Sequence, residues 1–292
     1  MVSYNCKAFL KEAIDSVQVV HGDHEIIVVD NNSADGTADW LRSEHPEVKL
    51  VHNRYNAGFS SANNQGVEVS TCDTILLLNP DAKLLDNGIE RAMNYLRQHP
   101  KTLIGPSVLN PDGTHQDSLI PIVKPLTLLA EALFLSYVFK SARKRVKLGT
   151  DHGLSGVCLL MRKALYTELK GLDPDLFWME DMDFSVRAKQ LNYDLMQFTT
   201  WKIMHHSGQS SKKNYKVSIS NQLISKYKFL AKHQKKGRWL SVIFLEIHII
   251  LRILLFALLS PFRRIYRLKL IAYFYAHSLF LKYLIRPKTA TF

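Results

Sequence analysis

Three acidic residues stand within four positions between large apolar side chains: Glu180, Asp181 and Asp183 lie in the segment Phe-Trp-Met-Glu-Asp-Met-Asp-Phe, residues 177–184. Arg187 follows Asp183 at the i+4 spacing of a helix, so this segment is expected to open a half-buried helix. Carboxylates beside apolar walls are partly desolvated, which raises their pKa toward the range of a general base. The acids could instead only complement a helix dipole and pair with Arg187.

Three apolar runs precede the acidic stretch, at residues 26–29, 48–52 and 74–78, and an Asn or Asp follows each of them. The runs 26–29 and 74–78 predict buried strands, as in a parallel sheet covered by helices, and 48–52 predicts a second short strand. Open α/β sheets bind ligands at the carboxyl ends of their strands, so the sequence predicts a binding site at this edge. Asp30, the first of these polar residues, could otherwise be a simple turn residue.

The segment Asn79-Pro80-Asp81 is a candidate metal site. Its Asn and Asp side chains offer hard oxygen ligands, and the proline ends strand pairing so that both project from the sheet edge. Mg²⁺ or Mn²⁺ held by few protein oxygens and completed by a diphosphate is the chemistry expected here. His205 and His206 end a strand predicted over 198–206, and one of them is a further candidate ligand. A plain Asn-Pro-Asp turn is the alternative.

Two further features concern the loops and the first strand. Gly58 lies between two predicted strands and precedes a helix predicted over 60–69, where backbone N–H groups can approach a phosphate or sugar. Residues 1–5 resemble the tail of a strand, and an amphipathic helix follows over 9–20. A strand of two or three residues pairs weakly, so the first strand is expected to be truncated or its start misassigned.

Composition excludes several classes of protein. With 292 residues, 47% of them hydrophobic, the chain can bury a large core in one or two domains. Its three cysteines lie far apart without a Cys-x-x-Cys pair, which argues against a disulfide framework or a thiolate zinc site and fits a reducing compartment. No basic stretch followed by an apolar one opens the sequence, so no secretory signal is visible and catalysis is expected to face the cytoplasm.

The charge of the chain is divided unevenly. Residues 1–200 carry 20 Lys and Arg against 25 Asp and Glu, whereas residues 201–292 carry 18 against one, Glu246. Two apolar runs in the basic part, 239–262 and 268–285, are each about as long as a bilayer span. Basic residues flanking apolar runs favour an anionic membrane surface over nucleic acid. Interfacial or hairpin association, membrane spanning, and packing on the catalytic domain all stay open.

Another basic run follows the apolar residues 119–139: five of the eight residues 140–147 are Lys or Arg. These segments predict either a buried helix with a solvated charge run, or a flap that contacts a membrane or a lipid-diphosphate acceptor.

Eight short motifs occur in the order found in one enzyme family. Over about residues 1–210 the chain resembles the inverting family-2 glycosyltransferases of bacteria, especially the rhamnosyltransferase-like branch that builds cell-surface polysaccharides. Each motif alone is weak, but their shared order makes the resemblance specific. The motifs are Val2-Ser3-Tyr4-Asn5, residues 27–37, Asn56-Ala57-Gly58-Phe59 with Asn63-Asn64, residues 78–81, Ser155-Gly156, Gly171-Leu172-Asp173, residues 180–183 and His205-His206.

This resemblance implies a GT-A fold, a Rossmann-like α/β domain with a mostly parallel sheet and helices on both faces, over residues 1–210. A basic, membrane-associating helical tail would occupy residues 211–292. Asp181 would be the base that deprotonates the acceptor hydroxyl, with Glu180 and Asp183 as its rivals. The implied donor-site residues are Tyr4 and Asp30 at the nucleoside, Asn56, Gly58, Asn63 and Asn79 near the nucleotide sugar, and Asp81 and His206 at Mg²⁺ or Mn²⁺ and the diphosphate.

The reaction so implied moves a sugar from a nucleotide-diphosphate sugar, with dTDP-rhamnose as one candidate, to a glycan or polyprenyl-diphosphate-linked acceptor, with inversion. The enzyme would lie at the cytoplasmic face of the inner membrane, peripheral or hairpin-anchored. Asn79-Pro80-Asp81 replaces the family's usual Asp-x-Asp and removes one anionic ligand. A nucleotide-binding oxidoreductase is disfavoured because no Gly-x-Gly-x-x-Gly precedes Asp30. An inactive, truncated remnant serving as a membrane-bound binding module is the alternative function.

Overall fold

A computed structural model describes residues 1–134, 152–206, 215–234 and 238–285. The basic run 140–147 lies outside these residues. The strands are β1 (Val2–Ser3), β2 (Ile27–Asp30), β3 (Lys49–His52), β4 (Thr74–Leu78), β5 (Ala82–Leu84), β6 (Thr102–Leu109), β7 (His115–Gln116), β8 (Leu119–Pro121), β9 (His152–Leu154), β10 (Cys158–Arg162) and β11 (Asp194–His205). The helices are α1 (Lys7–Gln18), α2 (Thr37–Glu44), α3 (Phe59–Glu68), α4 (Gly88–Gln98), α5 (Pro125–Ala132), α6 (Lys163–Glu168), α7 (Glu180–Gln190), α8 (Tyr215–His233), α9 (Arg238–Leu259) and α10 (Arg264–Ile285).

The chain divides into two units. Residues 1–120, 152–174 and 180–206 belong to the first unit. The described part of the second unit consists of residues 121–134, 175–179, 215–234 and 238–285. The domain boundary predicted at residue 210 lies outside the described residues and stays a prediction.

The first unit contains two main sheets. One has three parallel strands in the order β1-β2-β3. The other has the order β4-β10-β6-β11-β5, with β7 paired to β6. In this larger sheet β6 and β11 are parallel, whereas β10 runs antiparallel to both β4 and β6. The sheet is therefore mixed rather than mostly parallel, because β10 enters between β4 and β6 in the opposite direction.

Alternating side chains of the larger sheet give it a core on each face. Leu159 and Met161 of β10 pack on one face with Phe184 of α7. Leu160 of the same strand packs on the other face with Trp201 and with residues of α4. This alternation follows from the two-residue period of a strand. The predicted α/β arrangement, with helices on both faces of a sheet, is therefore present in this unit.

The second unit is helical. Helix α9 packs against α5 and α10, and α8 packs against α10. Ala272, Ala276 and Phe280 of α10 are fully buried and recur at every fourth residue, which places them on one face of the helix. The buried Lys226 of α8 forms an ion pair with Glu131 of α5 at 2.7 Å. Other apolar side chains of α9 and α10, among them Leu254, Leu258 and Phe274, are exposed.

Candidate active site

Asp30, the last residue of β2, is fully buried. Its Oδ2 accepts the backbone N–H of Ser33 at 3.1 Å and lies 3.6 Å from Nε2 of His52, at the end of the neighbouring β3. Arg42 donates to Nδ1 of His52 at 3.0 Å, so the ring proton of neutral His52 is on Nε2 and faces Asp30. Oδ1 of Asp30 has no partner among the described residues. A buried carboxylate oxygen without a hydrogen-bond partner can accept an N–H group of a bound nucleobase.

The loop after β1 is tied to the loop after β2. Asn5 has a left-handed φ of 53°, its N–H donates to Oγ of Ser33 at 2.9 Å, and its Oδ1 accepts the N–H of Ala34 at 2.7 Å. Tyr4 lies on this loop with 50% of its surface exposed. The exposed ring is available for stacking on a planar group.

Two predicted donor-site residues lie between β3 and α3 and shape the loop itself, and a third, Asn63, lies within α3. Oδ1 of Asn56 accepts the N–H of Gly58 at 2.9 Å. Gly58 has a φ of 82°, a conformation that L side chains rarely adopt, although an added Cβ would meet no atom within 4 Å. Asn63 is buried, and its amide donates to the carbonyl of Phe59 at 2.9 Å in its own helix. The side-chain amide of Asn63 is thus engaged locally.

Asp81 faces a histidine of β11. Nε2 of His205 lies 3.2 Å from Oδ1 of Asp81, and the ring donates from Nδ1 to Oε1 of Gln116 at 2.9 Å. Since an amide oxygen only accepts, the proton of a neutral ring is on Nδ1 and the Nε2 lone pair points at the carboxylate. Two electron-rich atoms at this distance need a positive charge between them, either a proton on Nε2 or a cation.

This pair fits a divalent ion. A carboxylate and an imidazole oriented by an amide oxygen are common ligands of Mn²⁺ and related metals. Oδ1 of Asn79 is buried without a partner among the described residues and is a third oxygen nearby in sequence. No group of three His, Cys, Asp or Glu residues in the described chain could hold a metal alone. The site therefore fits an ion that a ligand diphosphate completes.

The sequence singled out His206, but the structure places His205 against Asp81. The ring of His206 packs on Phe9, with a centroid distance of 5.0 Å, and the backbone N–H of His206 donates to the carbonyl of Asp81 at 2.9 Å. Nε2 of His206 is buried without a hydrogen-bond partner among the described residues. Successive side chains of a strand point to opposite faces, so only one of the two rings can face the carboxylate.

Asp181 lies in the first turn of α7 and is half-buried. Its Oδ2 accepts the N–H of Gly156 at 2.8 Å, and its Oδ1 accepts the N–H of Met182 at 2.7 Å. Burial raises the pKa of Asp181, and these backbone hydrogen bonds oppose that effect without cancelling it. A carboxylate with a raised pKa and a face open to solvent can accept a proton from a ligand.

Asp183, one of its rivals, is occupied by the ion pair predicted from the i+4 spacing. It is fully buried, and Nε of Arg187 donates to its Oδ2 at 2.6 Å. The guanidinium also donates to the carbonyls of Leu169 and Gly171. Through Arg187, Asp183 therefore connects α7 to the loop that follows α6.

One short loop connects the metal candidates with Asp181. The carbonyl of Val157 accepts the N–H of Asn79 at 2.9 Å, and the N–H of the preceding Gly156 donates to Asp181 at 2.8 Å. An added Cβ at Gly156 would lie 3.1 Å from Cβ of Asp181, so the loop passes close to the carboxylate. The end of β4 and the start of α7 thus meet on either side of this loop.

Comparison with known proteins decides the family. The family described as "Glycosyl transferase family 2" matches residues 1–170, more than half of the chain. The chain belongs to glycosyl transferase family 2. An N-acetylglucosaminyl-diphospho-decaprenol L-rhamnosyltransferase of Mycobacterium tuberculosis is 23% identical over 239 residues, which cover 73% of this chain and 76% of that protein. The teichuronic acid biosynthesis glycosyltransferase TuaG of Bacillus subtilis, described as putative in name, is 28% identical over 131 residues, 43% of this chain and 52% of the relative.

Solved structures confirm the GT-A fold of this family-2 enzyme. The mannosyltransferase PcManGT from Pyrobaculum calidifontis, solved with GDP-Man and Mn²⁺, superposes with a TM-score of 0.57 at 14% identity and covers 97% of this chain and 85% of its own. TarS of S. aureus superposes with a TM-score of 0.50 at 15% identity, over 81% of this chain and 42% of its own. The chain is therefore a glycosyltransferase with relatives in bacterial polysaccharide synthesis.

Several residues at the site of this glycosyltransferase escaped the sequence reasoning. His52 ends a predicted strand at the same edge as Asp30, so the rule about strand ends could have found it. Asn64 accepts the N–H of Leu172 and donates to its carbonyl, both at 2.9 Å, and so fixes the Gly-Leu-Asp loop to α3. Gln116 follows an ordinary turn, and no local signal marks it as the partner of His205.

Proposed function

We propose that this family-2 enzyme transfers a sugar from a nucleotide-diphosphate sugar to a hydroxyl of a glycan or lipid-linked glycan, with inversion at the anomeric carbon. The observation that carries the proposal is the loop of Gly156 and Val157. It hydrogen-bonds to Asn79 at the candidate metal end and to Asp181, a half-buried carboxylate. A base held beside a diphosphate site is the arrangement that direct displacement of the diphosphate requires.

At the donor, Asp30 accepts an N–H of the base through its free oxygen and the ring of Tyr4 stacks on the nucleoside. Asn56 and Gly58 shape the loop that borders the sugar nucleotide, and Asn63 supports the start of the following helix. Asp81 and His205 would hold Mg²⁺ or Mn²⁺. Such an ion, when bound, supplies positive charge that stabilises the departing diphosphate by several kcal/mol.

At the acceptor, Asp181 takes the proton of the attacking hydroxyl. The oxygen forms a bond to the anomeric carbon while the bond from that carbon to the diphosphate oxygen breaks, and the electron pair leaves with the nucleoside diphosphate. Attack from the opposite face inverts the configuration. A positioned base contributes about 10²–10⁴-fold to such a step. Burial raises the pKa of Asp181, so its carboxylate accepts a proton more readily than an ordinary aspartate does.

The names of the relatives support a choice of substrates. The mycobacterial relative is a rhamnosyltransferase that acts on a diphospho-decaprenol, and poly-β-1,6-N-acetyl-D-glucosamine synthases of staphylococci are also similar, at 21% identity. We take dTDP-rhamnose as the first donor to test and a polyprenyl-diphosphate-linked sugar as the first acceptor.

The helical unit supports attachment to the cytoplasmic face of the plasma membrane. Residues Trp239–Leu259 of α9 have a mean hydropathy of 2.5 over the most apolar window, of which only 22% is buried. Leu254 and Leu258 are 61% and 71% exposed, and Phe274 of α10 is 56% exposed. Arg263 lies in the turn between the two helices, and Arg264 and Arg267 lie at the start of α10. An apolar face flanked by cations suits an anionic lipid surface, in a peripheral or hairpin arrangement.

Thermal stabilisation of the purified chain by UDP and dTDP, with and without Mn²⁺, tests the donor site. We expect stabilisation that depends on Mn²⁺ and is lost in Asp81→Ala. Asp15→Ala, which replaces a half-exposed aspartate on α1, is the matched control and should keep the response. NAD should not stabilise either protein. Equal stabilisation of Asp81→Ala and of the unmodified chain would refute the assignment of the metal site.

A further inference from the structure

Helix α9 exposes apolar side chains along one face. Trp239, Ile243, Ile250, Leu254 and Leu258 are between 44% and 71% exposed. They recur at intervals of four or seven residues, so they lie on one side of the helix, in a stripe about 28 Å long. Every residue of this outer stripe is apolar. A surface helix usually has the opposite arrangement, with polar residues outside and apolar residues inside.

The ionisable residues in the middle of α9 lie on its inner faces and contact neighbouring helices. Nη2 of Arg252, which is 8% exposed, donates to the carbonyl of Glu131 in α5 at 3.2 Å. Glu246 pairs with Nε2 of His277 in α10 at 2.8 Å. His248 is buried, and burial lowers its pKa to about 4, so its ring is neutral near pH 7. Helix α9 is therefore polar on the inside and apolar on the outside.

These inner residues decide how α9 can meet a membrane. Residues 239–259 are long and apolar enough to cross a bilayer. However, Glu246, His248 and Arg252 fall near the middle of this segment, which a spanning helix places at the bilayer centre, where ionisable groups are most costly. Their partners could offset that cost only if α5 and α10 entered the hydrocarbon together with α9.

Helix α8 opposes that arrangement because it packs along α10. Lys216 lies 5.7 Å from the ring centre of Tyr275, and Lys228 lies 5.4 Å from that of Tyr283, so the two helices run side by side in the same direction. A bilayer that enclosed α10 would therefore also enclose α8. The hydrocarbon would then contain the lysines of α8, at positions 216, 226, 228 and 232. The packing of α10 on α8 fits a position at the membrane surface instead.

The charges near the outer stripe favour lipid as the surface that covers it. Arg263 and Arg264 follow α9 and are exposed, and Phe262 beside them is 76% exposed. Residues 201–292 carry 18 Lys and Arg against one acidic residue. Anionic phospholipid headgroups complement these cations, and the acyl chains next to the headgroups complement the stripe.

We infer that α9 lies flat in one leaflet of the membrane, with its outer stripe among the acyl chains, and that Glu246, His248 and Arg252 keep it from crossing the bilayer. The membrane attachment proposed above, on which this inference rests, is thereby monotopic: neither α9 nor α10 reaches the opposite leaflet. Two of the three inner residues bind α10 and α5. The third, His248, faces α10 through the ring of Tyr273, 6.2 Å away between ring centres.

The depth of labels in vesicles tests the flat arrangement. The full chain, with Cys6→Ser, Cys72→Ser and one added cysteine, is reconstituted in phosphatidylcholine vesicles that contain about one third phosphatidylglycerol. A nitrobenzoxadiazole label on Ile243→Cys, Ile250→Cys or Leu258→Cys is quenched by lipids brominated at known depths. We expect one shared depth for the three labels, about 5–10 Å into the headgroup and acyl boundary. In a spanning helix the label at 250 would lie about 10 Å deeper than the other two.

Replacing the inner residues tests their role. Glu246→Leu combined with His248→Leu and Arg252→Leu should move the label at 250 about 10 Å deeper, because no ionisable group then opposes spanning. Glu246→Gln combined with Arg252→Gln removes the same charges but keeps polar side chains, so this control should stay flat. Circular dichroism should show the same helical content in both variants and in the parent chain.

A deeper label at 250 in the parent chain overturns the flat arrangement, and labels that no brominated lipid quenches overturn lipid as the occupant. A leucine variant that stays flat, or a glutamine control that crosses, overturns the role of the inner residues. Label depth does not require a nucleotide. Labels at one depth without stabilisation by dTDP and Mn²⁺ would therefore refute only the proposed enzyme activity.

Discussion

Two aspartates in the first turn of α7 should respond differently to replacement by asparagine: one should lose turnover and the other stability. Asp181→Asn should lower turnover by about 10²–10⁴-fold, because the amide cannot accept the acceptor proton. That loss corresponds to about 3–5 kcal/mol of transition-state stabilisation. The fold should survive. Asparagine keeps one oxygen that can accept the N–H of Met182. It loses the hydrogen bond from Gly156, worth about 1 kcal/mol, but the substitution also removes a desolvated charge, which offsets this loss.

Asp183→Asn should instead destabilise the protein. Asp183 is fully buried against Arg187, whose side chain is 16% exposed. Removing one partner of a buried pair costs about 3–5 kcal/mol. Since Arg187 keeps its hydrogen bonds to the carbonyls of Leu169 and Gly171, we expect the low end of this range, about 3 kcal/mol. The melting temperature should then fall by about 6–12 °C.

Initial rates of sugar transfer and thermal unfolding, measured on both variants, separate the two roles. Stabilisation by dTDP with Mn²⁺ should be normal in Asp181→Asn, which shows that the loss lies in the chemical step. A variant Asp181→Asn that is unfolded, or one that transfers sugar normally while a folded Asp183→Asn does not, would refute the assignment of the base.

The pH dependence gives an independent check on Asp181. Its pKa is raised above the ordinary value of 3.8, so the folded state binds this proton more tightly than the unfolded state. The group therefore stabilises the fold below pH 3.8, and this contribution is lost as the pH rises through the raised pKa. The ionised form is the base, so transfer should fall as the pH drops through that same raised pKa. An acid limb at or below pH 3.8 would contradict the desolvated environment.

Three further outcomes follow from other parts of the structure. Gln116→Leu should weaken Mn²⁺ binding by about 10–100-fold in a titration, because it frees the His ring that faces the candidate metal; an unchanged affinity would argue against that ring as a ligand. Gly171→Ala should cost about 1–3 kcal/mol in urea unfolding, since its φ is 74°; a stable variant would show that the loop can adjust. Leu254→Asp with Leu258→Asp should reduce binding to anionic vesicles at least about tenfold, whereas the exposed Val19→Asp in the first unit should not.

The elements of the first unit were largely predictable because their signals are local. The apolar runs 26–29 and 74–78 correspond to β2 and β4, since an unbroken run of β-branched and aliphatic residues has few other stable states. The pairing of Asp183 with Arg187 was also predictable from a local signal, because residues four apart are neighbours on a helix. The direction of β10 was not, because a strand between two others can run either way and its direction depends on distant connections.

The choice between two adjacent histidines shows where local reasoning stops. Strand β11 changes register between Phe198 and Lys202, where its pairing with β6 is irregular. Such an irregularity inverts the faces of all later side chains, and so decides which of His205 and His206 meets Asp81. The sequence gives no sign of it. The contact between Asn64 and Leu172 is also missed, because two motifs 108 positions apart carry no local sign that they touch.

The loop of Gly156 and Val157, which connects Asn79 with Asp181, takes part in both hydrogen bonds through main-chain groups alone. Val157 contributes a carbonyl and Gly156 an N–H, so neither bond depends on a side chain of the loop. Val157 also packs on the core of the larger sheet, so in related enzymes that share this arrangement position 157 should accept varied apolar residues. Position 156 should stay glycine more often, because a Cβ there would lie 3.1 Å from Cβ of Asp181 and one of the two would have to shift. Natural variation at these two neighbouring positions should therefore differ sharply, although both belong to the same turn.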